Sequence, residues 1–223
     1  MSRGPYNLIM TKPLGAPLPT IRRLPVYVRI LKERHEAGDI WISSDALGRR
    51  LDLGAIQVRK DLSSVGAEGK AKHGFPIAET IRVLTEFLGT DDYAEVFLIG
   101  AGPLGAAVLA DDNVVRHGFK IVAVFDPDRD LSGAEVFGFK VFPLSKMTDL
   151  VRRTGVKIAV LAVGPSALRE ATDVIAATEL EGVFDLTGLA PELPKRMVVV
   201  REDFGSHLAA LAGELGGKRR AER

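Results

Sequence analysis

Six residues, Gly100-Ala101-Gly102-Pro103-Leu104-Gly105, follow directly on the apolar run Val96-Phe97-Leu98-Ile99. A glycine-rich turn between a buried strand and a helix is the phosphate cradle of a dinucleotide site. Gly100 permits the tight bend, Gly102 lets the backbone approach a pyrophosphate, and Gly105 lets helix and strand pack closely. Pro103 and Leu104 open the new helix, at whose positive end the pyrophosphate would sit. A second apolar run, Ile121-Val122-Ala123-Val124-Phe125, ends at Asp126, twenty-one residues beyond Gly105. A carboxylate there accepts from ribose hydroxyls. The competing reading is a plain tight turn in an α/β domain; strand, turn, helix, strand and acid in that order favour the dinucleotide.

A different chemistry lies upstream. Residues 55–64 form a helix with Ala55, Val58 and Leu62 on one face and Ile56, Gln57, Lys60 and Ser64 opposite, Arg59 on the flank. Gln57 and Lys60 can reach base edges in a major groove, and Arg59 a phosphate. Ser43 and Ser44 cap the helix before it and join the candidate DNA-contacting set with Ser64. The stretch from Gly66 to Phe75 is glycine-punctuated and basic, as a β-hairpin wing is, and its Lys70 and Lys72 would follow the DNA backbone or minor groove. The alternative is a small helical domain with an ordinary solvated charged face.

Charge separates these two regions. Residues 1–89 carry fourteen Lys and Arg against nine Asp and Glu, the remainder sixteen against twenty, so a net charge of +1 conceals two opposite halves. A basic half suggests a polyanionic partner. With no cysteine in 223 residues, disulfides, thiolate metal sites and thiol switches are excluded, and redox sensitivity must come from a bound ligand. No apolar run approaches a membrane span and no signal-peptide plan is visible at the N-terminus, so a soluble, cytoplasmic protein is expected.

The elements that position these residues follow from periodicity and breakers. Residues 1–19, with four prolines and two glycines, read as a loose arm. Thr20 offers an N-cap for a helix through Ile21, Leu24, Val28 and Leu31, with Pro25 in its first turns and Gly38 at its end. A short strand at 40–42, a helix through Leu47 and Leu51, the turn Asp52-Leu53-Gly54 and the 55–64 helix complete a helix-turn-helix with a wing. Beyond the break at Leu88-Gly89-Thr90, strands at 96–99, 121–125, 156–162, 183–185 and 197–200 alternate with helices at 145–154 and 166–178. That alternation implies a parallel, doubly wound sheet with its ligand crevice at the strands' carboxyl ends, Ala162 and Gly164 on the lip. A last helix, 206–215, presents Leu208, Leu211 and Leu215.

These residues resemble the Rex family of redox-sensing transcriptional repressors. The resemblance rests on Arg23-Leu24-Pro25, Ile42-Ser43-Ser44, Gln57-Val58-Arg59-Lys60-Asp61-Leu62-Ser63 and the wing glycines Gly66, Gly69 and Gly74. It continues through Gly100 to Gly105, Phe125-Asp126 and Val200-Arg201-Glu202-Asp203-Phe204, and spans roughly residues 19–215. It implies an arm (1–19), a winged-helix DNA-binding domain (20–89), a Rossmann NAD(H)-binding domain (90–204) and a C-terminal helix and tail (205–223) exchanged across a homodimer. It further implies binding to palindromic double-stranded operators and release by NADH. Arg23 would face Asp203 of the partner in an interdomain ion pair.

The departures fall mainly on one side of the site. Pro103 stands where the family usually has Asn, and Asp111 (or Asp112, if the alignment slips by one) where a tyrosine takes part in switching. Ala162-Val163-Gly164 replaces Thr-Val-Pro, and Asp185-Leu186-Thr187-Gly188 replaces Asn-Phe-Ala-Pro. In the wing, Lys70-Ala71 replaces Lys-Arg and Glu68 an aromatic. The adenosine side (Gly100, Gly102, Gly105, Asp126) is intact while the nicotinamide side is altered. A divergent member is therefore expected, one that separates NADH from NAD⁺ less sharply or senses another adenine nucleotide. Asp111 could also compete with Asp203 for Arg23. A small NAD-dependent oxidoreductase is the remaining alternative, but His35, His73, His117 and His207 show no catalytic spacing with a fixed lysine or carboxylate, and no substrate domain is left over.

Overall fold

The computed structural model describes residues 15–89 and 95–221. Its described residues form two compact units. One comprises the N-terminal region together with Asn113–Phe119, the other Glu95–Asp112 together with everything from Lys120 onward.

In the N-terminal unit, α1 (Leu18–Glu36) begins after Pro17, with Pro19 in its first turn, where a missing N–H costs nothing. The helix therefore starts inside the stretch read as an arm; residues 1–14 of that arm lie outside the described residues. Thr20 is not its cap but an interior residue, buried with its hydroxyl on Asp61. The helix also runs through Pro25. Losing that backbone bond is outweighed by burying Leu24, Tyr27, Val28, Ile30 and Leu31. Next come β1 (Trp41–Ile42), α2 (Ser44–Arg49) and α3 (Ala55–Ser64), which matches its sequence-based span. β2 (Phe75–Pro76) pairs antiparallel with β1, Ile42 opposite Phe75, and closes the wing; a further bridge joins Lys70 to Gly74. α4 (Ile77–Leu88), absent from the sequence reading, ends at Gly89 in the left-handed region and buries Ile77 and Leu84 in the same core as Leu47, Val58 and Leu62.

The second unit opens with β3 (Glu95–Ile99) and α5 (Pro103–Leu109). α6 (Asp112–Arg116) then falls almost wholly in the segment grouped with the N-terminal unit. β4 (Lys120–Asp126) returns beside β3. A hairpin of β5 (Glu135–Val136) and β6 (Phe139–Pro143) follows in place of a helix, β6 lying parallel to β4. α7 (Met147–Thr154), β7 (Ile158–Leu161), α8 (Leu168–Ala176), β8 (Gly182–Asp185) and β9 (Val198–Arg201) continue the alternation, and α9 (Phe204–Ala221) ends it. The sheet order is β5-β6-β4-β3-β7-β8-β9, every pair parallel except β5 with β6. The order reverses between β3 and β7, so ligand crevices belong at their carboxyl ends. Phe97 and Phe125 meet edge to face at 5.1 Å in the core beneath that point.

Candidate nucleic-acid interface and dinucleotide crevice

On the N-terminal unit, α3 buries Val58, Asp61 and Leu62 and exposes Ile56, Gln57, Arg59, Lys60 and Ser64. Asp61, to which the sequence alone assigns no contact, organises this face. Its Oδ1 accepts from Thr20 Oγ1 (2.9 Å), Arg23 Nη2 (2.7 Å) and Gln57 Nε2 (2.9 Å), and its Oδ2 from Arg23 Nε (2.7 Å) and Tyr27 Oη (2.8 Å). Burial alone would raise this carboxyl. Hydrogen bonds from Arg23, Tyr27, Gln57 and Thr20 outweigh it and hold the pKa down at about 2. Burial, and then the bond to Asp61, push the Tyr27 hydroxyl in the opposite direction, upward. The sequence signal was an acid on the flank of an apolar helical stripe, a place that requires buried donors.

The other expected DNA contacts are distributed as follows. Ser43 is exposed, its hydroxyl accepting from Ala46 N (3.0 Å) as the cap of α2. Ser44 is buried and its Oγ accepts from Arg59 Nη1 (2.9 Å), so this serine braces Arg59 instead of facing outward. Ser64 donates to the Asp61 carbonyl at 2.7 Å. In the wing, Lys70 Nζ lies over the Trp41 ring, 5.4 Å from its centroid, and the His73 ring packs against Trp41. Lys72 is exposed at the hairpin tip with φ +68.

In the second unit the glycine turn follows β3. Gly100 has φ +109, and a Cβ there would run into the Ala162 carbonyl and lie 3.0 Å from Val163 N. At Gly105 a Cβ would strike the Gly100 carbonyl oxygen. Both glycines are thus fixed by backbone crossing backbone. Gly102 and Gly164 are different: a Cβ on either meets nothing within 4 Å. These two leave open space on the turn and on the lip after β7, with Pro103 and Leu104 starting α5 between them and the helix interior. Asp126 ties the turn down, Oδ2 accepting from Ala101 N (2.6 Å) and Oδ1 from Asp128 N (2.8 Å). Each oxygen retains acceptor capacity for a hydroxyl. An open backbone approach beside a fixed acceptor carboxylate suits an adenine dinucleotide.

Asp111 is exposed after α5, and its N–H donates to Val108 O at 3.3 Å. Farther along the same edge, Asp185 ends β8, its Oδ1 holding Thr187 N and Oγ1, with Arg201 Nε 3.7 Å from Oδ2. A cleft of about 180 Å³ opens there, bounded by Asp185, Arg201, Asp203, Ser206 and His207. Asp203 caps α9 by accepting from Gly205 N (2.9 Å) and Ser206 Oγ (2.6 Å), and the Ser206 hydroxyl leads the causes that lower its carboxyl pKa. Within one chain Arg23 is held by Asp61, and Asp203 by Gly205 N and Ser206 Oγ. Of the four histidines, His117 Nδ1 contacts Asn113 O and His207 Nε2 lies 3.6 Å from Glu202. Among the described residues no cluster suited to a metal ion is present, and no helix is long and apolar enough to cross a membrane.

Comparison with known proteins connects both units. A family model described as "Putative DNA-binding protein N-terminus" matches residues 16–63, and one described as "CoA binding domain" matches residues 91–187. The chain is 32% identical over 201 residues to the redox-sensing transcriptional repressor Rex of Treponema denticola, covering 90% of this chain and 96% of that protein. Identity to the Rex of Bacteroides fragilis is also 32%, over 89% of this chain and 90% of the relative. Among solved structures, RSP in complex with β-NAD⁺ and operator DNA superimposes with a TM-score of 0.81 at 24% identity, covering 93% of this chain and 95% of the other. RSP in complex with β-NADH gives a TM-score of 0.75 at 23% identity, covering 93% and 97%.

Proposed function

Because the chain belongs to the Rex family of redox-sensing transcriptional repressors, we propose that it represses transcription as a homodimer on palindromic operators and responds to the NADH/NAD⁺ ratio. One conjunction carries the reading: a polar, solvent-facing α3 in one unit and an open glycine turn with an acid behind it in the other. We assign 20–89 to DNA binding, 90–204 to cofactor binding and 205–223 to the dimer. The protein acts as a cytoplasmic regulator, not as an enzyme.

On the DNA, Gln57 and Lys60 face base edges, Arg59 reaches a phosphate from its brace on Ser44, and Lys70 and Lys72 follow the backbone. Ser43 and Ser64 lie on the same approach. In the crevice, Gly100, Gly102, Pro103, Leu104 and Gly105 cradle the pyrophosphate, Asp126 accepts from ribose hydroxyls, and Ala162 and Gly164 line the far lip. The bound nicotinamide supplies the redox-sensitive charge, cationic when oxidised and neutral when reduced. α9 exposes Phe204, Leu208, Leu211 and Leu215, spaced along one helical face and suited to cover by a second copy.

The deciding experiment is binding of the full chain to palindromic duplexes at fixed salt with NAD⁺, NADH or neither. Release by NADH alone supports the reading; absence of specific binding in all three conditions overturns it. Tight binding indifferent to both cofactors would retain DNA recognition and reassign the ligand.

The changed nicotinamide side, with Asp111, Ala162, Gly164 and Asp185 in place of the family's residues, favours weak discrimination between the two cofactor states. A preference for NADH of about a hundredfold, equivalent to two factors of ten in affinity, is the result that sinks this part. Displacement of NADH by ADP at comparable concentration would favour an adenine-nucleotide sensor instead, since the intact half of the crevice reads only adenosine diphosphate.

A further inference from the structure

Four residues donate to the Asp61 carboxylate, and of these Thr20 and Tyr27 are buried, Arg23 is half-buried and Gln57 is exposed on the open face of α3. A glutamine amide loose on a helix surface can turn over, exchanging its oxygen for its nitrogen and so presenting either a donor or an acceptor to the same base. Gln57 is held against that exchange. Its Nε2 sits 2.9 Å from Asp61 Oδ1, and a carboxylate attracts the amide N–H while repelling the amide oxygen. The hydrogen directed at Asp61 must be the one anti to Oε1, because the syn hydrogen would bring Oε1 up against the carboxylate. Oε1 and the syn N–H are then left side by side on the solvent edge. An acceptor and a donor in that arrangement match adenine N6–H and N7 in the major groove. Asp61 is itself immobile, saturated by two hydrogen bonds from Arg23 and one each from Thr20, Tyr27 and Gln57.

We propose that Gln57 is the adenine-reading residue of each half-site and that Asp61, one helical turn away, is the positioning residue that fixes which edge of its amide faces the DNA. The inference rests on the DNA-binding reading of α3. It assigns to a buried acid a share in sequence choice as well as in packing, because a neutral or absent group at position 61 frees the amide to turn over.

The test is selection of preferred sequences from a randomised palindromic duplex library by the full-length protein. Wild type is expected to require adenine at one position per half-site. Gln57→Ala, at an exposed position, leaves Asp61 its four hydrogen bonds from Arg23, Thr20 and Tyr27, and is expected to become indifferent there while keeping its other preferences. Gln57→Glu, which only accepts and is repelled by Asp61, is expected to abandon adenine. Asp61→Asn is expected to relax the same position and no other, a change of profile that mere loss of stability would not produce. A 7-deazaadenine at the selected position should cost wild type about tenfold in affinity and Gln57→Ala nothing, as expected for one bidentate base contact. An unchanged base profile in Gln57→Ala overturns the inference and leaves DNA binding intact. Failure of wild type to enrich any sequence overturns the DNA-binding reading and this inference with it.

Discussion

Arg23 and Asp61 meet in a two-point fork, Nε to Oδ2 and Nη2 to Oδ1, both at 2.7 Å, with the carboxylate 1% exposed and the guanidinium side chain 25% exposed. The pair fastens α1 to α3. Removing one partner of such a pair strands the other charge in the interior, so Arg23→Ala should cost about 3 kcal/mol in the stability of the N-terminal unit. Arg23→Lys should recover only part of it, because an ammonium has no planar fork. Equilibrium unfolding of the full chain followed by Trp41 fluorescence measures both. Were Arg23 needed chiefly for a partner's Asp203, Asp203→Ala would destabilise the same transition equally; the smaller effect is expected.

Acid should unfold the N-terminal unit through the same carboxylate. The folded pKa of Asp61 is about 2, below its ordinary value of 3.8. Its stabilising contribution is therefore complete above about pH 4 and is lost as pH falls from there toward 2. The shift corresponds to about 2 kcal/mol. Trp41, the single tryptophan, lies in this unit and reports the transition. Asp61→Asn should be less stable at neutral pH and show a flatter decline across that window; an identical acid profile in the variant would assign the transition to other groups.

Gly102 and Gly105 should respond oppositely to the same methyl group. Gly102→Ala adds a Cβ into open space, so the melting temperature should change little, yet the methyl occupies the approach of a pyrophosphate. Dinucleotide affinity should fall at least tenfold, about 1.4 kcal/mol. Gly105→Ala drives a Cβ into the Gly100 carbonyl oxygen, which is backbone and cannot swing aside. That variant should lose stability by about 1–3 kcal/mol, the ordinary cost of overpacking. Calorimetric titration with NADH and thermal unfolding separate the two. Equal loss of stability in both variants would deny that Gly102 faces a ligand.

Much of this was legible in the residues, because the features that carry it are local. The span of α3 follows from its apolar spacing, and the turn from Gly100 to Gly105 and the acid at Asp126 from their fixed separation. What local sequence does not carry depends on distant partners. Thr20 has the residue type of a cap, but its hydroxyl is drawn inward by an acid forty-one positions away. Ser44 looks exposed by type, yet it is buried and its hydroxyl accepts from Arg59, fifteen positions on. β6 joins the sheet without a crossover helix, through a hairpin turning at Phe137 and Gly138, both with positive φ. α4 is the exception: it is strongly amphipathic, burying Ile77, Thr80 and Leu84 on one face, and its own spacing carries it.

The open face of α9 supplies the last test. Phe204, Leu208, Leu211 and Leu215 are each more than half exposed along one side of the helix. Burying side chains of this size is worth about 1.5–3 kcal/mol apiece, so leaving four in water is expensive unless another surface covers them. If that surface is a second copy, Leu208→Asp with Leu211→Asp should convert a dimer to a monomer in sedimentation and leave far-ultraviolet dichroism unchanged. Melting of the wild type should rise with protein concentration and that of the variant should not. Operator affinity should fall when dimerisation is lost, since two half-sites a helical turn or more apart need two linked reading helices. A variant that stays dimeric but melts early would show instead that α9 packs on its own sheet in solution.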